Sequence, residues 1–363
     1  MQKQESLFSK KIIHNVQITD PKTIDWDNIG FNPIHTAYVG GMVSLHGEPY
    51  EPFTMVPAGT INLPLSAVAL NYGQSIFEGL KARKGRDGKI RLFRVKDNAR
   101  RLADGAKRML MTPIPQDLFK KAVIDIVNAN LEYVPATDKG SLYIRPLLIG
   151  SGEGLGVCPS YENTFCIYVC PVGNYFKGLS CINILVTKDY HRAPRKGVGH
   201  IKAAGNYAAG LYPGKIAKNK GYAEILYLDH ECIHVEEVGA ANFSLIKGNK
   251  LIIAESESVL PGITRDSVAK IAREKLHMEV TFEKIPIDKV LGLHAYKDEG
   301  RADEVFCTGT AAVISPIGTL HYHDHDYVIG NNEVGPVTKK LYDLLNGIQI
   351  GEYADDYGWT TIC

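Results

Sequence analysis

Gly197-Val-Gly-His-Ile-Lys-Ala-Ala-Gly-Asn-Tyr207 sets a lone lysine, Lys202, between glycines, with Asn206 and Tyr207 close behind it. Glycine reaches backbone conformations closed to other residues and lets a flat ligand come near the main chain. Val198 and Ile201 are apolar neighbours that would desolvate the ammonium. Desolvation favours the neutral, nucleophilic amine that Schiff-base chemistry requires. Tyr207 is near enough in sequence to offer a phenol to the same place. The plain alternative, a solvated lysine in a flexible loop, stays open on the local pattern alone.

The whole sequence bounds what such a lysine could serve. Its 363 residues suit one large or two medium domains. With 45% hydrophobic and 22% charged residues, the composition is that of an ordinary soluble globular protein. The net charge of +1 gives no electrostatic pull toward nucleic acid or an anionic membrane. No apolar run reaches membrane-spanning length; Arg145 interrupts the best one, Leu142 to Ile149. The polar start, Met1-Gln-Lys-Gln-Glu-Ser6, has no apolar run behind it, so a cytoplasmic protein is expected. Seven cysteines occur without a Cys-x-x-Cys pair, which supports neither a zinc knuckle nor a thioredoxin-like motif. Cys166 and Cys170 would share one strand face as small hydrophobes.

Upstream of the lysine, Ala37 to Val39 and Met42 to Leu45 read as short strands. Leu70-Asn-Tyr-Gly-Gln-Ser-Ile-Phe-Glu-Gly-Leu-Lys-Ala-Arg83 carries Tyr72 and Phe77, which core packing would also explain. A helix capped at Asp97 or Asn98 places Leu102, Ala106, Met109 and Leu110 at helical spacing. A second helix is expected from Gln116 to about Leu131, then strands over Ser141–Gly150 and Thr164–Val172. The glycine run Ser151 to Gly156 fits neither a dinucleotide fingerprint nor a phosphate loop. Downstream, Ile182 to Thr187 reads as a strand, and a hairpin turns at Asp229-His230. Glu236 and Glu237 follow; neighbours on a strand face opposite sides, so only one can address a cofactor. Leu260-Pro-Gly-Ile-Thr264 starts a helix, whose N-terminus suits an anion. His321, His323 and His325 would share a face of a strand, as metal ligands might, although the polar surroundings favour an ordinary hairpin. Composition shifts near residue 178, giving expected domains 1–178 and 179–363.

Five segments in order, Tyr72 to Ala82, Asn98 to Leu102, Tyr143 to Pro146, Lys202 to Tyr207 and Glu237 to Asn242, resemble those of branched-chain amino-acid aminotransferases. These are pyridoxal 5'-phosphate enzymes of the class IV aminotransferase family. The resemblance implies an α/β (α+β) fold of the D-amino-acid-aminotransferase-like type, with a small N-terminal α/β domain and a larger, β-barrel-like C-terminal one. It implies that Lys202 is catalytic and carries the cofactor. Arg101, in Asn-x-x-Arg-Leu, would bind the phosphate, which a guanidinium fork suits. Tyr207 would bond the cofactor phenolate, and Glu237 would partner the pyridine nitrogen, leaving Glu236 an exposed strand carboxylate. Ile263, Thr264 and Thr310 would hold the phosphate, mainly by backbone. Tyr72, Phe77, Tyr143, Arg145, Tyr175, Thr310 and Ala311 would line the substrate site.

The implied reaction is reversible, ping-pong amino transfer between leucine, isoleucine or valine and 2-oxoglutarate, by a homodimer at least, without metal. Two departures stand out. Ala240 replaces a threonine common in the family, and Ala312 and Ser315 stand where some animal members carry a Cys-x-x-Cys pair. A D-amino-acid aminotransferase or aminodeoxychorismate lyase would share Lys202 and Glu237. Such enzymes lack Tyr-x-Arg-Pro together with Phe-Glu-Gly-Leu-Lys-Ala. A protein that binds the cofactor without turnover is the other alternative, opposed by intact Lys202, Tyr207 and Glu237.

Overall fold

The computed structural model describes residues 5–173 and 179–363. The chain forms two compact units, the first gathering Met1–Tyr175, Ile201–Gly205 and Ile348–Cys363. Its strands are β1 (Tyr38–Leu45), β2 (Thr54–Pro57), β3 (Ser75–Phe77), β4 (Leu80–Lys84), β5 (Ile90–Phe93), β6 (Ser141–Gly150) and β7 (Glu162–Val172). They pair antiparallel in the order β5-β4-β6-β7-β1-β2; β3 adds to β6, and Thr360–Ile362 adds to β5 at the edge. Strand β6 shows why. Leu142, Ile144 and Leu148 are fully buried, while Tyr143, Arg145 and Leu147 alternate with them and are half-buried. A period of two puts these sets on opposite faces of the sheet.

The buried face is covered by α1 (Val95–Arg108) and α2 (Gln116–Ala129). The rings of Phe119 on α2 and Phe165 on β7 lie 5.9 Å apart. Helix α1 starts earlier than its polar residues suggested. Arg94, in a left-handed conformation (φ 52°), is the N-cap. The expected caps lie inside the first turn: Asp97 pairs with Arg94 Nε at 2.8 Å, and Asn98 Nδ2 donates to the Arg94 carbonyl at 2.9 Å. Val95 is buried with Ala99, Leu102 and Ala106, so the apolar stripe itself extends the helix upstream.

The second unit comprises Phe176–His200 and Asn206–Gly347. Its strands are β8 (Ile182–Thr187), β9 (Glu224–Leu228), β10 (His234–Val238), β11 (Ala241–Lys247), β12 (Lys250–Ala254), β13 (Glu279–Glu283), β14 (Ile285–Pro286), β15 (Glu304–Gly309), β16 (Val313–Tyr322) and β17 (His325–Val328). The order β13-β12-β11-β15-β16-β8-β9-β10-β14 is closed by a further pairing of β10 with β11. Strands β11, β15, β16, β8, β9 and β10 therefore form a barrel, which removes their free edges. Ile184, Leu226, Phe243 and Leu320 are fully buried in its core cluster. Helix α3 (Leu211–Asn219) packs on β9, and α4 (Ile263–Lys275) on β13 and β15.

The two-unit α/β plan with a barrel-like second unit is the one expected. The single boundary placed near 178 falls on residues outside those described, and composition gave no sign that 201–205 and 348–363 return to the first unit. The histidine run forms a hairpin, as its polar surroundings suggested. Strand β16 ends at Tyr322, and His323 and Asp324 both turn left-handed (φ 50° and 57°), so His321 faces Asp326 across a hairpin. A two-residue turn of this kind reverses the chain, and the three imidazoles cannot share a strand face.

Candidate active site

In the first unit Lys202 is anchored against β3. Ala203 makes an antiparallel bridge with Ile76, and the Phe77 N–H donates to the Lys202 carbonyl at 3.2 Å. The Lys202 ammonium lies 4.9 Å from the centre of the Phe77 ring, and the Arg145 guanidinium lies 4.6 Å from it. One aromatic ring thus meets two cations, a favourable use of its quadrupole. Arg145 Nη2 also donates to the Tyr143 hydroxyl at 3.0 Å. That hydroxyl fits only because residue 79 is glycine: a Cβ there would stand 2.4 Å from it. Tyr72, 41% exposed, donates its hydroxyl to the Leu155 carbonyl.

Glu78, just past the end of β3, is fully buried. It receives Arg101 Nε at 2.7 Å and Nη2 at 2.8 Å, a bidentate pair. Sequence reading singled out Arg101 and overlooked Glu78. The available signal was an acid between Phe77 and Gly79. Lys81 was overlooked too. It lies directly across from Tyr143, and burial first, then the Arg83 charge, pull its ammonium down to about 7.

In the second unit Glu237 on β10 is 1% exposed and forms an ion pair with Arg192, itself buried. Asn242 Nδ2 donates to Glu237 Oε1 at 2.8 Å, and the Leu260 N–H to Oε2 at 3.4 Å. Asn242 Nδ2 also reaches the Leu260 carbonyl at 2.8 Å. Gly262 makes room for this amide, since a Cβ there would fall 1.9 Å from Asn242 Oδ1. Arg192 continues the chain of contacts, donating to the carbonyls of Gly199 (2.7 Å) and Ser258. Nothing in the local sequence pointed to Arg192, which precedes the glycine-flanked stretch. Glu236 faces the other way, as alternation requires, but it is not the exposed carboxylate expected. It is 3% exposed and accepts from Ser256 Oγ at 2.8 Å, because both faces of β10 are covered.

Ile263 and Thr264 open α4 behind the N-cap Gly262. Thr310 and Ala311 lie half-buried in the turn from β15 to β16, and Tyr207 lies half-buried in the helical turn Ala204–Ala208. Tyr175 falls outside the described residues. Asp229, Glu231 and His234 bring potential metal-ligand atoms within 4.8 Å of one another. Asp229 there already accepts from the N–H groups of Ile233 (3.0 Å) and His234 (3.1 Å) and pairs with His234 Nδ1 (2.8 Å), which staples the β9–β10 hairpin.

These donors suit pyridoxal 5'-phosphate. Glu237, a buried carboxylate held by an arginine and an amide, is an acceptor suited to a ring N–H. A helix whose N-cap is glycine has no side chain at that position to compete for an incoming phosphate. Lys202 carries a primary amine, the group that an aldehyde takes up.

Comparison with known proteins gives the family. The family model "Amino-transferase class IV" matches residues 75–320. Branched-chain amino acid aminotransferase 2, chloroplastic, of Humulus lupulus is 44% identical over 342 residues, 93% of this chain and 81% of that protein. The branched-chain-amino-acid aminotransferase of Haemophilus influenzae is 40% identical over 347 residues, 93% and 98% of the two chains. Among solved structures, the branched-chain amino acid aminotransferase from Escherichia coli has a TM-score of 0.74 at 29% identity, covering 90% of this chain and 98% of that one. The branched-chain aminotransferase from Thermoproteus uzoniensis with norvaline gives 0.73 at 26%, covering 88% and 98%. Another solved branched-chain amino acid aminotransferase holds pyridoxamine 5'-phosphate and gives 0.74 at 27%. With a family match over residues 75–320 and relatives 40–44% identical over more than nine-tenths of its length, the chain belongs to the class IV aminotransferases, in their branched-chain-amino-acid aminotransferase branch.

Proposed function

We propose that this protein is a branched-chain-amino-acid aminotransferase, moving the amino group reversibly between leucine, isoleucine or valine and 2-oxoglutarate. The observation that carries the reading is Lys202, anchored on β3 with its ammonium against Phe77, in a chain 44% identical to a branched-chain aminotransferase over 93% of its length. Pyridoxal 5'-phosphate, when bound, supplies an aldehyde carbon that takes up the amino group and a ring that withdraws electrons from the substrate α-carbon. Lys202 Nζ would hold that aldehyde and would move the proton at the substrate α-carbon. Glu237, whose carboxylate Arg192 and Asn242 fix, would face the ring nitrogen. Tyr207 would donate to the cofactor phenolate. Ile263, Thr264 and Thr310 would offer amides to the phosphate, and Arg101 would offer its guanidinium. Tyr72, Phe77, Tyr143, Arg145 and Ala311 line the substrate side: Phe77 gives apolar surface to a branched side chain, and Arg145 a cation to a carboxylate.

The test is a substrate panel with 2-oxoglutarate as acceptor. Glutamate should form with leucine, isoleucine and valine; formation only with D-alanine, or with no amino acid, overturns the reading. A homodimer is part of the proposal. Leu65, Leu155 and Val157, 92%, 93% and 88% exposed, give the first unit apolar surface of the kind that assembly buries. Sedimentation at a monomer mass would refute it. We further place the protein in the cytoplasm, a reading supported by seven cysteines that are all free. Fractionation that finds it in an organelle would refute that.

A further inference from the structure

One face of the sheet in the first unit is crowded with positive charge. Lys81 and Arg83 on β4, Arg91 on β5 and Arg145 on β6 are all half-buried. Alternation puts them on the face opposite buried Leu80, Ala82, Leu92 and Ile144. The register fixes their neighbours: Lys81 lies across from Tyr143, and Arg83 across from Arg91. Asp87 answers one of these charges, meeting Arg91 at 2.7 and 2.8 Å. Arg83 Nη1 donates to a neutral group, Gln349 Oε1, at 3.2 Å.

Like charges gathered on a half-buried face repel, and a guanidinium cannot shed its proton to relieve them. A lysine can. Burial and the Arg83 charge hold the Lys81 ammonium down at about 7, so a large share of it is neutral amine at physiological pH. A neutral amine is a nucleophile. The surroundings also select the electrophile. An adduct that carries negative charge turns repulsion from Arg83 into attraction, whereas an acyl group or an imine gains nothing of the kind. A carboxylate at the end of residue 81 would also suit the charge-assisted donors of a guanidinium.

We propose that Lys81 is a site of reversible carbamylation by carbon dioxide. The Nζ lone pair bonds to the carbon of CO2, one C=O electron pair moves onto oxygen, and a proton leaves Nζ for water. The product is a carbamate anion in place of a cation, on the face that carries Tyr143 and Arg145. If Arg145 receives a substrate carboxylate, as the proposed function has it, the carbamate competes for the same donors and CO2 inhibits the enzyme. The experiment adds isotopically labelled bicarbonate to the cofactor-loaded enzyme at neutral pH, ethylates any carbamate with triethyloxonium ion, and finds the labelled residue by peptide mass mapping. Label should appear on Lys81 and vanish in Lys81→Arg, which keeps the charge but not the nucleophile. At ~50 mM bicarbonate, against chloride at equal ionic strength, the KM for 2-oxoglutarate should rise about threefold or more in the wild type, with kcat unchanged, and not in Lys81→Arg. No label on Lys81, or label confined to other amines, overturns the site. A rise in KM without label means bicarbonate held as an ion, and overturns the covalent step; label with an unchanged KM overturns the inhibition. The label is read without substrate, so its outcome is independent of the transaminase reading, on which the kinetic arm alone rests.

Discussion

Replacing Glu78 with glutamine removes one charge from a largely buried pair while keeping its size. Arg101 meets Glu78 at 2.7 and 2.8 Å, and the two side chains are 13% and 0% exposed. At that distance, with an effective dielectric of about 20, the gross attraction is about 6 kcal/mol. Desolvation of both ions offsets much of this, and measured losses on breaking a buried pair run about 3–5 kcal/mol. Arg101 retains some contact with solvent, so the lower end applies: about 3 kcal/mol, or roughly two orders of magnitude in the unfolding equilibrium. The assay is built in. Both tryptophans, Trp26 and Trp359, belong to the same unit as the pair, so tryptophan fluorescence in urea reports its unfolding. A double-mutant cycle with Arg101→Met and Glu78→Met should give a coupling of about 2 kcal/mol or more, since an apolar pair tolerates the burial that a lone guanidinium does not. A Glu78→Gln protein within about 0.5 kcal/mol of wild type, or an additive cycle, would refute the reasoning.

Lys202→Ala should bind cofactor without a borohydride-reducible link and show no turnover; a pyridoxyl label found on another lysine of the reduced wild type would move the assignment. Glu237→Gln should lose activity by orders of magnitude with its fold intact, and near wild-type turnover, or an equal loss in Glu236→Gln, would contradict the role given to it. Peroxide should leave activity largely intact with or without dithiothreitol. Burial pushes the Cys307 thiol up to about 12 and its neighbour across the pair is Ser315, so reversible inactivation traced to Cys307 is the adverse result. Asp355 is held below the ordinary carboxylate range: burial opposes this, but N–H donors from Thr360, Trp359 and Tyr357 prevail. Its contribution is therefore present above the unfolded value and lost as pH falls through the folded one. Asp355→Asn should cost about 2 kcal/mol at pH 7, with the gap to wild type closing below about pH 4; a gap independent of pH would exclude the ionised carboxylate as its source.

What could be read in advance was whatever depends on neighbours in the chain. The alternation over Ser141–Gly150 placed β6 with both its ends and the face that carries Tyr143 and Arg145. The Pro-Gly turn announced α4, and opposite-facing neighbours separated Glu237 from Glu236. Partners distant in sequence could not be read this way. Arg101 is a basic residue on a helix until Glu78 is seen beneath it, and Arg192 is anonymous until the barrel brings it to Glu237. The start of α1 was misjudged for a related reason: polar residues that usually cap a helix were bound instead to Arg94, and buried Val95 decided the first turn.

Strand β5 takes its outer partner from Thr360–Ile362, and residues 201–205 join the same unit. No continuous fragment ending at residue 175 can therefore reproduce that unit. Such a fragment would leave β5 with an open row of N–H and C=O groups, a template for any other extended chain. The ribosome faces the same problem. At roughly 5–20 residues per second, residue 362 follows residue 93 by some tens of seconds. For that interval the nascent sheet has a raw border. Slow translation lengthens the exposure, and a holdase that covers β5 should raise the yield of folded protein more than one that acts after release.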